Sequence, residues 1–340
     1  MNPTAPQARA GASALPAPAG IWITEVFRLT RWELYLAWRR VMAKVLIILV
    51  VVFYAIVIGF ISLGISSIIN QPIQSYGYQC PPDATDCQAQ TTEQLKAERD
   101  SALAPLTDIV TFPTSLGFAA SYTRVVGLIL LCILAGTLVG SEYGFSTQRL
   151  AFSRGASRLQ MLSAQAIALA VISMILAVGM LLVGTLVGLI VGPAFGTAVS
   201  APSFGGWMEI IKFFFAFSFS LFAYALVALA AATLGKSTAA GIGLALGWFL
   251  LEFIVGGILT NLAPLLLQND TGKMLQHIPD WFLGSNVGAL LGYAGQYPIG
   301  LAPTPSADFS LARSLIISLV YCAIFFGGSY LLLSRRDVTE

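Results

Sequence analysis

Six stretches of this chain, at about 43–69, 115–140, 162–191, 210–234, 238–266 and 311–334, are apolar for twenty residues or more. Roughly 17–25 such residues cross the hydrocarbon of a bilayer as a helix. In lipid every backbone N–H and C=O has to be satisfied within the protein, which leaves only helices and closed barrels. None of the six runs alternates as a barrel strand would, so they predict an all-α polytopic membrane protein with six transmembrane helices. The composition agrees. Of the 340 residues 57% are hydrophobic and 10% charged, against roughly 25% charged in an average soluble domain. A large soluble enzyme, a nucleic-acid binder and a disordered scaffold are all excluded.

The basic residues set the orientation. With the N-terminus inside, the inner segments hold Arg9, Arg28, Arg31, Arg39, Arg40, Lys44, Arg149, Arg154, Arg158, Lys236, Arg335 and Arg336, two thirds of the 18 Lys and Arg residues. The outer segments hold Lys96, Arg99, Arg124, Lys212, Lys273 and Arg313. Acidic residues go the other way, with Asp83, Asp86, Glu93, Glu98, Asp100 and Asp108 all in the first outer loop. The small net charge of +2 is therefore the sum of a polarised molecule, positive inside. Both termini are expected in the cytoplasm.

Residues 1–21, rich in Ala, Pro and Gly, read as a disordered cytoplasmic tail without a signal peptide. Residues 22–41 read as an amphipathic helix on the inner surface. Its apolar face is Ile23, Val26, Phe27, Leu34, Ala37, Trp38 and Val41, with Thr30 as a break. The alternative is that this segment simply begins the first span. Residues 42–338 form the six-helix domain. Its outer loop at 70–114 is polar, with a helix at Thr91–Leu103. A basic, amphipathic inner segment follows at 141–160, where Ser157 is placed to cap the third span. The stretch 267–310 is too short to span and too apolar for a solvated loop, so it predicts a re-entrant or interfacial helix pair at the outer face.

Cys132 and Cys322 lie inside apolar runs and read as small buried hydrophobes. Cys80 and Cys87 flank a polar turn, and a disulfide there would add roughly 2–3 kcal/mol in the chain-entropy view and face an oxidising compartment. No metal site and no catalytic constellation is evident. The only histidine is His277, and the Gly235-Lys236-Ser237-Thr238 turn lacks the first glycine of a P-loop. An ion within the bilayer calls for a partner, since one at its centre costs about 2.5–3.5 kcal/mol. Glu252 lies ~21 Å above the inner end of the fifth span and Arg124 ~24 Å above that of the second, at the helical rise. The matching depths predict an Arg124–Glu252 pair. The alternative is two charges reaching the outer headgroups separately. Gly136/Gly140, Gly184/Gly188/Gly192 and Gly243/Gly247 have the GxxxG spacing of close helix packing, inside the bundle or at a dimer seam.

Taken together, residues 22–338 resemble an ABC-2 type (type V) transporter permease, a membrane subunit without its own ATPase. The run Glu142-Tyr143-Gly144-Phe145-Ser146-Thr147-Gln148-Arg149-Leu150, followed by Ser157-Arg158, is similar to the family's acidic–Gly–Thr segment and its later Ser-Arg. The closing Arg335-Arg336-Asp337 is similar to family tails. Gly155-Ala156 departs from the Pro often found before the Ser-Arg, and Gln165 stands where a Lys is often found. The resemblance implies an elbow helix at the N-terminus, pairing with a second permease copy (homodimer or heterodimer), and docking on a cytoplasmic ABC ATPase. It also implies ATP and Mg on that partner and no cofactor on this chain. Phe145, Thr147, Gln148, Arg149, Leu150, Phe152, Arg154 and Arg158 would form the coupling contact, with Lys236 in a second, smaller one. Export across the plasma membrane is the expected activity. A non-transport scaffold or a lipid-modifying membrane enzyme is the competing class. The Phe-rich stretch from Phe213 to Phe222 leans toward lipophilic cargo.

Overall fold

A computed structural model describes residues 19–72, 92–144, 155, 157–261, 277–296, 301–302, 305 and 309–335. Among these, every regular element is helical. Helix α1 (Ala19–Arg39) leads through Arg40 into α2 (Val41–Asn70), and α3 (Thr92–Val110) follows. One rod is then built from α4 (Ser115–Tyr122), a π turn (Thr123–Gly127) and α5 (Leu128–Gly144). After it come α6 (Arg158–Ala194), α7 (Phe204–Gly235) and α8 (Thr238–Asn261). A 3-10 turn (Ile278–Trp281), α9 (Leu283–Ala294) and α10 (Leu311–Arg335) complete the chain.

Six of these are long and apolar enough to cross a membrane: α2, the α4–α5 rod, α6, α7, α8 and α10. They coincide with the six apolar runs, but α6 and α7 begin earlier than hydropathy alone indicates. Polar caps explain both starts. Ser157 and Gln160 form a reciprocal capping box, the Gln160 N–H donating to Ser157 Oγ at 3.2 Å and the Ser157 N–H to Gln160 Oε1 at 2.8 Å, which satisfies two orphan donors of the first turn. Ser203 Oγ accepts from the Gly206 N–H at 3.3 Å in the same way. Gly155, at φ 90°, supplies the left-handed turn just before the α6 cap.

The bundle is centred on α7. In the most apolar windows of the α4–α5 rod and α7, 67% of residues are buried, against 11% in α2, α8 and α10. The first two are therefore the core, and the last three present their apolar sides outward, as lipid-facing helices do. Phe213 and Phe217 of the Phe-rich stretch stack in that core, while Phe215 faces out.

Helix α1 divides its apolar residues between two sides. The stripe packed inward is Val26, Thr30, Glu33 and Ala37, while Ile23, Phe27, Trp38 and Val41 are exposed. Thr30 Oγ1 donates within its own helix to the Val26 carbonyl at 2.9 Å, so it is satisfied where it packs. Through this stripe α1 lies against α6, while large apolar side chains suffer no penalty facing lipid.

Two of the three GxxxG runs are close-approach sites. A Cβ on Gly136 would lie 2.8 Å from the Ile242 N, and one on Gly140 2.5 Å from the Thr238 backbone. Gly184, Gly188 and Gly192 admit Leu116, Phe112 and Val110 respectively. Gly243 and Gly247 face open space.

Candidate functional site: a buried charge cluster at the start of the ninth helix

The α9 helix begins with Leu283 and Gly284, whose backbone N–H groups have no intrahelical acceptor. Glu252, projecting from α8, fills that need. Its Oε1 accepts from the Leu283 N–H at 2.9 Å and its Oε2 from the Gly284 N–H at 3.2 Å. A carboxylate at a helix N-terminus is favoured by both the donors and the macrodipole. Tyr224 of α7 adds a third donor, its hydroxyl reaching Glu252 Oε2 at 2.6 Å.

Arg124 approaches the same peptide from the other side. It sits in the π turn of the α4–α5 rod and donates from Nη2 to the Gly284 carbonyl at 2.8 Å. π turns shift helix register locally and recur at functional sites. The two charges are near enough to attract one another, but they form no direct ion pair. The pairing expected from their depths is thus replaced by a bridge, Arg124 to Gly284 to Glu252. The geometry requires glycine at two positions. A Cβ on Gly284 would lie 2.6 Å from the Tyr224 hydroxyl, and one on Gly288 would lie 2.7 Å from Arg124 Nη2.

Other contacts fasten the 3-10 turn and α9. Asn286 Nδ2 donates to the carbonyls of Asp280 and Phe282, both at 2.8 Å, tying the 3-10 turn to α9. Tyr321 of α10 donates to the Trp281 carbonyl at 3.1 Å, and the Arg313 guanidinium lies 4.9 Å from the centre of the Trp281 ring. α9 itself is sunk into the bundle, with Leu283, Asn286, Val287 and Leu291 buried. It therefore closes one end of the bundle between the second, fourth, fifth and sixth spans.

At the opposite end, Arg158 and Lys236 are the coupling candidates that lie within the described residues. Arg158 Nη1 donates to the carbonyls of Leu333 and Ser334, at 2.8 and 2.5 Å. A cation on the last carbonyls of α10 meets the negative end of that helix. Arg158→Ala is expected to lower stability by up to about 2 kcal/mol and to speed trypsin cleavage at Arg335, with Arg158→Lys intermediate. Equal proteolysis rates in all three proteins would refute the contact. Lys236 is exposed and holds a left-handed φ of 50° in the tight turn joining α7 to α8. Phe145, Thr147, Gln148, Arg149, Leu150, Phe152 and Arg154 lie outside the described residues, as do Cys80 and Cys87.

Sequence reasoning took Glu252 as the one acid clearly at depth. Glu33, Glu142 and Glu209 are buried as well. Glu142 Oε2 accepts from Gln165 Nε2 at 2.6 Å, and Glu209 Oε1 from the Leu301 N–H at 3.4 Å. Tyr224, Gly284 and Gly288 were also missed. The Gly284/Gly288 spacing was the one signal in the sequence that could have found them.

Across residues 32–338 the chain matches the sequence model of a family described as "ABC-2 family transporter protein". The chain belongs to the ABC-2 transporter family. No curated protein matches it as a relative. The family match covers all six spans, α9 and the α5–α6 segment. This ABC-2 chain is accordingly a multi-pass membrane permease component of an ABC transporter, and it is not itself an ATPase.

Proposed function

We propose that this permease exports its substrate across the plasma membrane by using ATP and Mg held on a separate cytoplasmic ABC ATPase. The single observation that carries the reading is the family match over 32–338. Residues 145–158 dock on the ATPase, and the turn at Lys236 makes the smaller contact. Both termini are cytoplasmic, in keeping with the excess of Lys and Arg on the inner segments. α1 lies as an elbow helix at the inner surface, a position favoured by its exposed Ile23, Phe27, Trp32 and Trp38 beside exposed arginines. Two copies pair, and the open Gly243/Gly247 face of α8 is free to meet another helix.

In this reading α9 is the outer closure. Its start hangs from the second span through Arg124 and from the fifth through Glu252 and Leu283. Motion of the inner ends of those spans shifts the two holds relative to each other and loosens α9. The Gly284 bridge keeps the two charges satisfied while the route is shut.

The test is co-expression with an ABC ATPase subunit that co-purifies with this chain. Deleting 145–158 is expected to abolish co-purification and coupled hydrolysis while the chain still inserts in the membrane. Hydrolysis and transport that survive the deletion would sink the assignment.

A further inference from the structure

Helix α2 is tied to the α4–α5 rod at two levels. At one, Arg40 Nη1 donates to the Thr137 carbonyl of α5 at 2.8 Å. At the other, the Tyr122 hydroxyl donates to the Val50 carbonyl at 3.2 Å, and the Tyr54 ring packs edge-on against Tyr122 with centres 5.1 Å apart. Between these ties runs an apolar slot, open on one side. Ala43, Ile47 and Val50 line it on α2, Leu130 and Leu134 on α5, and Leu176 on α6. The lining residues recur at every helical turn, so the slot follows the helix axes for roughly 10 Å.

The two ends of the slot differ. Aromatic rings close the Tyr122 end, and the other end is basic. Arg40 lies one turn before Ala43, whose N–H donates to the Arg40 carbonyl at 3.2 Å, and Thr137 lies one turn past Leu134. The guanidinium therefore stands where the slot ends. An arginine carries five N–H donors, and the bond to Thr137 uses one. Lys44, one turn before Ile47, is exposed, and so is Arg39. Helix α2 has no acidic residue. Glu33 of α1 attracts Arg40, but Glu33 and Glu142 of α5 are buried. The exposed charges beside the slot are thus positive.

The surroundings face lipid, for Val45, Ile48 and Val51 of α2 are all exposed. Packed interiors leave few voids, and an apolar gap stays dry. Open to a bilayer, such a gap fills with hydrocarbon, which restores the dispersion contacts its lining otherwise lacks. A third helix does not fit, since helices pack with axes roughly 8–10 Å apart and α2 is tied to the rod at both ends of the slot. A single alkyl chain does. Basic pockets between membrane helices bind anionic headgroups. We propose that the slot seats one anionic phospholipid, with an acyl chain between α2 and α5 and the phosphate at Arg40 and Lys44. The lipid joins the first span to the second where their own side chains leave a gap. This site rests on the residues around the slot and not on the transport reading.

Photolabelling of the full chain in phosphatidylcholine bilayers tests the site without any ATPase. Two probes carry the same diazirine midway along one acyl chain, one on phosphatidylglycerol and one on phosphatidylcholine, and labelled residues are mapped by mass spectrometry. The phosphatidylglycerol probe should label Ile47–Val50 and Leu130–Leu134 roughly 25-fold more than the other, about fivefold for each of the two cations. Lys44→Gln, a change at an exposed side chain, should lower that ratio about fivefold. Ala43→Phe fills the slot and should remove its label from both probes while Arg40 and Lys44 stay in place. Val52→Phe, on an exposed side of α2, should change neither result. Equal slot labelling by the two probes, or a ratio unchanged in Lys44→Gln, would overturn the headgroup seat. Labelling as dense on the exposed sides of α8 and α10 as in the slot would overturn the acyl-chain seat. Disulfide-linked dimers through Ile47→Cys with no slot label would hand the slot to a second copy instead.

Discussion

Glu252→Ala is expected to lower the stability of the folded chain by about 3–5 kcal/mol, the range for stripping one partner from a buried charged cluster. The substitution leaves three buried donors without an acceptor: the N–H groups of Leu283 and Gly284 and the Tyr224 hydroxyl. Each unsatisfied donor costs roughly 1–3 kcal/mol. Arg124 also loses the opposite charge that faces it across the Gly284 peptide. Glu252→Gln should fall about half as far, because its amide oxygen still accepts while its NH2 confronts donors. The informative experiment is the exchange Arg124→Glu/Glu252→Arg. A direct ion pair would survive it. Here the exchange should fail to recover stability, since an arginine at 252 would face the N–H groups of the α9 start and a glutamate at 124 would face the Gly284 carbonyl. Thermal unfolding in detergent, followed by size-exclusion, compares the four proteins. Recovery to near wild type in the double variant would show that the bridge geometry is wrong.

That contrast also marks how far the residues alone could be read. The six spans were plain from hydropathy, because twenty consecutive apolar residues have few other fates. Their starts were not, because hydropathy ignores caps such as Ser157 and Ser203. Counting rise per residue put Arg124 and Glu252 at one level, and both do reach one peptide. Their actual partner is backbone, which leaves no mark in a sequence beyond the glycines that make room for it at 284 and 288. Glu33 was hidden for a different reason. On a helix rich in exposed arginines it reads as one more solvated charge, and only the packing of α1 against α6, far along the chain, accounts for its burial. In lipid the outward side of a helix is free to be apolar, so amphipathic periodicity does not say which side is packed.

Gly140→Val should be the most damaging single change at the end of the bundle where α5 meets α8, and it joins packing to the proposed coupling. An ideal Cβ on Gly140 lies 2.5 Å from both Thr238 N and Thr238 Cα, and one turn earlier a Cβ on Gly136 lies 2.8 Å from Ile242 N. These obstacles are backbone atoms of α8, which no rotamer change can clear. Helix propensity points the other way, since replacing a mid-helix glycine by alanine gains about 1 kcal/mol. Overpacking costs typically 1–3 kcal/mol where side chains can adjust. With backbone on both sides the clash exceeds the propensity gain, so even Gly140→Ala should be destabilising and Gly140→Val more so. Gly243→Val and Gly247→Val are the controls, because their Cβ atoms meet open space within the chain. They should change the stability of one copy by no more than about 0.5 kcal/mol. The consequence for function follows from position. Gly140 is two residues from Glu142 and shortly before the segment proposed to dock on the ATPase, and Thr238 closes the turn that carries Lys236. Glycine at 140 lets these two inner contacts sit back to back, so that a push on either moves α5 and α8 together. Forcing α5 and α8 apart should therefore reduce coupled hydrolysis even in the fraction of protein that remains folded. Equal unfolding temperatures for Gly140→Val and Gly243→Val would refute the close approach. A folded Gly140→Val protein with wild-type coupling would refute the joint movement.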